Sequence, residues 1–162
     1  MKMSLMAATA AAVALTAVPA SAQQTGTQVY GNLGYAHYDA DGLDLGAVQG
    51  RLGARFGQYF GVEGEAAVGV DDDAGVDLNH SLGIYAVGYL PVGQNFDLLA
   101  RVGGGMTEVD TPVGDFDDES LNYGVGAQWH INEGNAIRGD WTRMDSDTVE
   151  SDVWSLSYVR KF

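Results

Sequence analysis

Seven ionic side chains carry the most chemistry along this chain: Arg51, Arg55, Arg101 and Arg138 with Glu63, Glu65 and Asp140. On a strand period of two they turn to one side, together with Asp97. Guanidinium and carboxylate groups confined together form charge-assisted hydrogen bonds. Such a set is expected to fill an enclosed space as a polar plug, or, if its partners exchange, to act as a gate for small ions. A second set, Asp71, Asp72, Asp73 and Asp77, has the oxygen-rich character of a Ca²⁺ or Mg²⁺ site, as do Asp39, Asp41 and Asp44. Neither run has the EF-hand spacing with a bidentate Glu at its twelfth position, and a solvated acidic surface is the plainer reading.

Catalysis needs a nucleophile and a base within hydrogen-bond reach. His37 lies near Asp39, and His80 adjoins Ser81. Adjacent strand residues point to opposite faces, so His80 and Ser81 cannot pair. No other spacing sets a base beside a nucleophile; no enzyme and no cofactor are expected. His130 is expected inside, opposite Arg138, as a hydrogen-bonding companion of the ionic set. Gly103, Gly104 and Gly105 precede no helix whose N–H groups could hold a phosphate, so they read as strand glycines. Gly139 is expected opposite Trp129, whose ring would cover it.

The elements that must position these groups show as alternation. Val48, Leu52, Ala54 and Phe56 share one face, with Gln49, Arg51 and Arg55 on the other. Val62, Ala66, Val68 and Val70 oppose Glu63 and Glu65 in the same way. Later, Leu121, Tyr123, Val125, Ala127, Trp129 and Ile131 alternate with Asn122, Gly124, Gly126, Gln128 and His130. Eight such segments are predicted, at about 28–38, 46–57, 61–71, 79–90, 96–107, 120–132, 136–144 and 152–162. Each approaches the roughly 9 to 11 residues with which a tilted strand crosses a bilayer. Short Gly-, Pro- and Asn-rich turns at 57–61, 91–95 and 132–135 are expected to alternate with longer connections at 39–45, 72–78, 108–119 and 145–151.

Composition narrows the classes. Among 162 residues, 22 Asp and Glu stand against 8 Lys and Arg, a net charge of −14, which excludes a phosphate-binding nucleic-acid surface. The chain has no Cys, hence neither disulfides nor thiolate metal sites. Eight Tyr, 5 Phe and 3 Trp are too many for a disordered acidic tail. Met1 to Ala22 has one Lys, an apolar run and a terminal Ala-Ser-Ala, the layout of a cleavable signal peptide. The domain is then residues 23–162.

Charge placement separates a soluble barrel from a membrane one. The four longer connections and their flanks hold 17 of the 22 acids: Asp39, Asp41, Asp44; Asp71, Asp72, Asp73, Asp77; Glu108, Asp110, Asp115, Asp117, Asp118, Glu119; Asp145, Asp147, Glu150 and Asp152. The apolar parity holds only His80, Arg143 and Arg160, near strand ends where long side chains reach head groups. Trp129, Trp141, Trp154, Tyr35, Tyr123, Tyr158, Phe56, Phe96 and Phe162 fall on that parity, as girdles of a transmembrane barrel do. The prediction is all-β: an eight-stranded antiparallel up-and-down transmembrane barrel.

The run Val29-Tyr30-Gly31-Asn32-Leu33-Gly34-Tyr35, the Gly-alternating Tyr123-Gly124-Val125-Gly126-Ala127, and the ending Trp154-Ser155-Leu156-Ser157-Tyr158-Val159-Arg160-Lys161-Phe162 resemble the small outer-membrane β-barrels typified by the OmpA transmembrane domain and OmpX. The resemblance spans the whole processed chain. It implies that Trp154, Leu156, Tyr158 and Phe162 form the signal read by the barrel-assembly machinery, with Arg160 standing where an apolar residue is common. It implies a monomer in the Gram-negative outer membrane, with periplasmic termini and acidic extracellular loops. Its partners are then membrane lipid and lipopolysaccharide; because bare carboxylates would repel the phosphates of lipopolysaccharide, Ca²⁺ or Mg²⁺ bridging the two is the alternative to a solvated acidic rim. The peptidoglycan-binding domain that follows the OmpA barrel is not expected here. A structural or surface-interaction role is the first reading, a narrow porin-like channel the second, and a lipid A-modifying enzyme the third.

Overall fold

The computed structural model describes residues 26–40, 42–70, 72–73, 76–111, 114–147 and 150–162, with side chains for all of these except 43, 72, 73, 76, 77, 109–111 and 114–118. The segment Met1 to Ala22 lies outside the described residues.

Nine stretches of strand form one antiparallel sheet: β1 Thr27–Ala40, β2 Leu43–Phe56, β3 Phe60–Gly69, β4 Asp72–Asp73, β5 Val76–Pro91, β6 Phe96–Thr111, β7 Gly114–Asn132, β8 Asn135–Ser146 and β9 Glu150–Lys161. The order β3-β2-β1-β9-β8-β7-β6-β5 closes through β3–β5 pairing, giving an eight-stranded barrel with β4 as a two-residue spur on β5. Closure removes every edge, so each backbone group across the wall can be paired within the sheet. Pairing of β1 with β9 brings the two terminal strands together, and the Phe162 N–H donates to the Val29 carbonyl at 2.9 Å.

Burial follows the two-residue period. Along β9, Val153, Ser155, Ser157 and Val159 are buried and Trp154, Leu156, Tyr158 and Arg160 are exposed. Along β8, Ala136, Arg138, Asp140, Thr142 and Met144 point inward. The exposed set is the apolar one: Leu33, Leu82, Ile84, Val102, Leu121, Val125 and Leu156 all stand on the outer surface. The buried set holds Arg51, Glu63, Asp97, Arg101, Arg138 and Asp140. That inverts the order of a water-soluble barrel.

Two expected registers are corrected. The turn after β2 is centred on Gln58, because Gly57 takes a left-handed φ of +65° and Phe56 pairs with Phe60. A turn centred on Tyr59 would set Arg55 opposite Glu63; the partners instead shift by two, so Arg55 faces Gly61, Gly53 faces Glu63, and Arg51 faces Glu65. Between β7 and β8 the turn is only residues 133–134, with a bulge between His130 and Asn132. Trp129 thus faces Ile137, Gly139 faces Ala127, Arg138 faces Gln128, and His130 faces Ala136.

The longer connections also differ from expectation. β6 and β7 run 16 and 19 residues and leave only residues 112–113 between them, and residues 41–42 alone separate β1 from β2. Backbone pairing does not require the membrane, so the acidic segments continue the ladder past the span that about 9 to 11 residues would cover. The acidic rim is a set of hairpins extending the wall.

Candidate functional site

The middle of the barrel holds six buried ionic side chains that close on one another. Arg51 lies on β2 beside Glu65 of β3, its Nε donating to Glu65 Oε2 at 2.7 Å. Its other two nitrogens reach across to β8, donating to Asp140 Oδ2 at 2.7 Å and Oδ1 at 2.8 Å. Arg138 Nε donates to Asp140 Oδ2 at 3.0 Å, while its Nη atoms bond Glu63. Arg101 Nη2 donates to Glu65 Oε2 at 2.6 Å, and its guanidinium lies 3.5 Å over the Tyr85 ring. Three guanidinium groups thus meet three carboxylates, leaving this layer neutral. Removing these charges from water is costly, and the geometry offsets it with bidentate bonds and added donors: Tyr30 Oη donates to Glu63 Oε1 at 2.6 Å and Ser155 Oγ to Asp140 Oδ1 at 2.9 Å.

Apolar clusters lie beyond and beside the ionic layer. Toward the acidic hairpins, Ala36, Tyr38, Leu45, Ala47, Ala67, Leu78, Met144 and Val153 form one buried cluster. Tyr85, Val87, Tyr89 and Leu99 form another beside the ionic layer, with Val87 facing Arg101 and Tyr85 facing Glu63, and Tyr30, Ala136 and Val159 form a third. Eight strands leave an interior that side chains can fill.

Of the seven residues expected together, Arg55 stands apart. It lies at the short-turn end, with Nη1 donating to Asp97 Oδ2 at 2.6 Å and its guanidinium 4.1 Å from the Tyr89 ring. His130 Nε2 meets the same Asp97 oxygen at 2.9 Å, so His130 is inside as expected but serves Asp97 instead of Arg138. The pairing of Arg55 with Glu63 that a turn centred on Tyr59 would give is lost to the shifted turn. Four interior tyrosines, Tyr30, Tyr38, Tyr85 and Tyr89, were not anticipated as interior residues. The hydroxyls of Tyr30 and Tyr89 lie 2.6 Å apart, and Asn122 Nδ2 donates to the Tyr85 hydroxyl at 2.8 Å. Their signal was present in the sequence, since each shares the parity of buried ionic or polar neighbours.

The histidine arrangements resolve differently. His80 points outward, 3.6 Å from Glu108, whereas Ser81 points inward to Thr107 at 3.1 Å. His37 meets Asp44 at 3.1 Å and not Asp39, because the tight β1–β2 hairpin brings Asp44 back beside it. Side chains of Asp71, Asp72, Asp73 and Asp77 lie outside the described residues.

The family model of the outer membrane protein beta-barrel domain matches residues 8–162. The chain belongs to that family. It is therefore a protein of the cell outer membrane. Solved structures share the fold at low identity. The N-terminal β-barrel domain of Pseudomonas aeruginosa OprF is 12% identical with a TM-score of 0.67, covering 85% of this chain and 98% of that one. Ail, the attachment invasion locus protein of Yersinia pestis, solved with the heparin analogue sucrose octasulfate, is 17% identical with a TM-score of 0.58 over 84% and 97%. Neisserial surface protein A is 18% identical with a TM-score of 0.57 over 85% and 97%. No curated protein matches the chain.

For an outer-membrane barrel, the exposed apolar parity is the lipid face. Trp129, Phe56, Phe96 and Tyr158 stand toward its short-turn end, and Tyr35, Tyr123, Trp141 and Trp154 toward the acidic end, in the manner of two aromatic girdles. Trp141 and Trp154 lie 6.4 Å apart between ring centres, and Trp141 Nε1 donates to Asp152 at 3.2 Å. Arg143 meets the same carboxylate through Nε at 3.0 Å and Nη2 at 2.8 Å, so a cation on the lipid parity is paired at the rim. At the other end Arg160 Nη1 and the Tyr158 hydroxyl both bond Asn135.

Proposed function

We propose that this outer-membrane barrel has a structural and surface-interaction role. Its wall is sealed by its own side chains, its short turns and termini lie in the periplasm, and its acidic hairpins face outward. One observation carries this reading: the neutral layer of Arg51, Arg101, Arg138, Glu63, Glu65 and Asp140, with a buried apolar cluster toward the acidic hairpins and the paired Arg55, Asp97 and His130 toward the short turns. An ion entering the middle would have to displace paired charges and then cross a buried apolar layer without hydration, which is costly. The chain carries no catalytic task in this reading, and no cofactor.

Planar-bilayer recordings of the purified wild-type protein are expected to show no steady large conductance. Steady openings would replace the sealed barrel with the narrow solute channel. In the same reading Met1 to Ala22 directs export, Trp154, Leu156, Tyr158 and Phe162 guide insertion by the assembly machinery, and the barrel acts as a monomer.

The acidic rim is proposed to bind Ca²⁺ or Mg²⁺ through Asp71, Asp72, Asp73 and Asp77, linking it to the phosphates of lipopolysaccharide. The register supports this, since Asp72 pairs with Asp77 and Asp77 with Asp110, and like charges directly opposite repel. Calcium titrated to millimolar concentration is expected to give measurable heat in calorimetry, and a flat titration removes the cation from this reading.

A further inference from the structure

We infer that the ionic plug binds one water molecule, held inside the barrel between Arg101, Asn122 and Thr142. Such a site deepens the sealed-interior reading and rests on it, since a barrel open to solvent would offer no enclosed place. The register brings the three residues together. Arg101 on β6 and Thr142 on β8 both face Gly124 of β7, which puts no side chain between them. The Thr142 hydroxyl leans over that glycine, 2.8 Å from where a Cβ would stand. Asn122, two residues before Gly124, turns to the same inner face. It donates through Nδ2 to the hydroxyl of Tyr85, the ring on which the Arg101 guanidinium lies.

Arg101, Asn122 and Thr142 are 3%, 0% and 4% exposed, so none of them is served by bulk solvent. Arg101 Nη2 donates to Glu65, and Nη1 lies 3.5 Å from Asp140 Oδ1. Nε and Nη1 of Arg101, Oδ1 of Asn122 and Oγ1 of Thr142 are buried with no hydrogen-bond partner among the described residues. A buried donor or acceptor left unmet loses its hydration for nothing in return. Four such atoms on adjoining positions of one inner face therefore point to a ligand that meets them.

Donor and acceptor count selects which ligand. Arg101 offers two N–H donors, Asn122 Oδ1 accepts, and the Thr142 hydroxyl does either. A water accepts from both guanidinium nitrogens and donates to Asn122 Oδ1 and Thr142 Oγ1, within the two to four bonds that buried waters make. An anion would meet Asn122 Oδ1 and the carboxylates of the layer, and a cation would meet the guanidinium. A small neutral molecule that both donates and accepts suits all four atoms. It completes the shell of Arg101, which makes one hydrogen bond where Arg51 and Arg138 make several.

Rotating-frame Overhauser spectra of the wild-type barrel in lipid nanodiscs, with nitrogen-labelled arginine, test this. The Arg101 Nε–H is expected to show a cross-peak to water of dipolar sign, the mark of a bound molecule. No cross-peak, or one of exchange sign from contact with bulk solvent, would overturn the inference. Thr142→Val adds a test by direction, because it removes the hydroxyl and keeps the shape. Loss of an unpartnered buried hydroxyl would raise the urea midpoint, whereas loss of one bonded to water should lower it and weaken the cross-peak. A raised midpoint overturns the inference, and if the variant fails to fold, the wild-type spectrum decides alone. A steady conductance in bilayers would remove the sealed interior itself, whereas a closed barrel without the cross-peak removes the water alone.

Discussion

Arg138→Met is expected to destabilise the folded barrel by about 3–5 kcal/mol, the cost of leaving a buried charge without its partner. Arg138 is the only guanidinium hydrogen-bonded to Glu63 among the described residues and one of two hydrogen-bonded to Asp140, where Arg101 adds an ion pair at 3.5 Å, and its side chain is fully buried. Met keeps the length and the packing but leaves Glu63 with two tyrosine hydroxyls alone. Urea titrations of protein folded into vesicles, read by the heat-dependent shift in gel mobility, measure the change. The double variant Arg138→Met/Glu63→Gln is expected to recover most of the loss, because Asp140 retains Arg51 and no unpaired charge remains. Recovery of nothing would mean that Glu63 and Arg138 do not act on each other.

The second large effect lies on the opposite face. Val125→Arg is expected to cost about 2–4 kcal/mol in the same titration, the penalty for a cation on the lipid face near mid-bilayer. Val125 is 56% exposed and stands on β7 between the Tyr123 and Trp129 ends of the lipid face. On a water-soluble protein an exposed Val→Arg change would stay within about ±0.5 kcal/mol. The two variants thus probe inner and outer parity with opposite chemistry: a cation is required inside and penalised outside.

Which side each residue takes was legible because one repeat, two residues long, governs both the backbone and the contrast between lipid and interior. Arg51, Glu65, Arg101, Arg138, Glu63 and Asp140 could be grouped from that alone. Which of them touch was not legible, since pairing depends on where each turn is centred. Gly57 with its left-handed φ moved the β2–β3 partners by two and sent Arg55 to Asp97. A bulge beside His130 did the same for β7 and β8. The interior tyrosines were left unplaced, because the aromatics singled out were those on the lipid parity, although Tyr30 and Tyr89 share the parity of buried polar groups. The acidic segments read as loops because charge and glycine favour turns, yet in a closed barrel an existing ladder extends them as strands.

Single cysteines placed along β7 test the inside-outside assignment most directly, and the natural absence of Cys makes each label unambiguous. With a nitroxide on each in lipid vesicles, positions 121, 123, 125 and 127 should be accessible to dissolved oxygen, and positions 122 and 128 shielded. Accessibility without that alternation, or exposure of 123 and 125 to a water-soluble nickel reagent, would contradict a wall with lipid on one side and paired charge on the other.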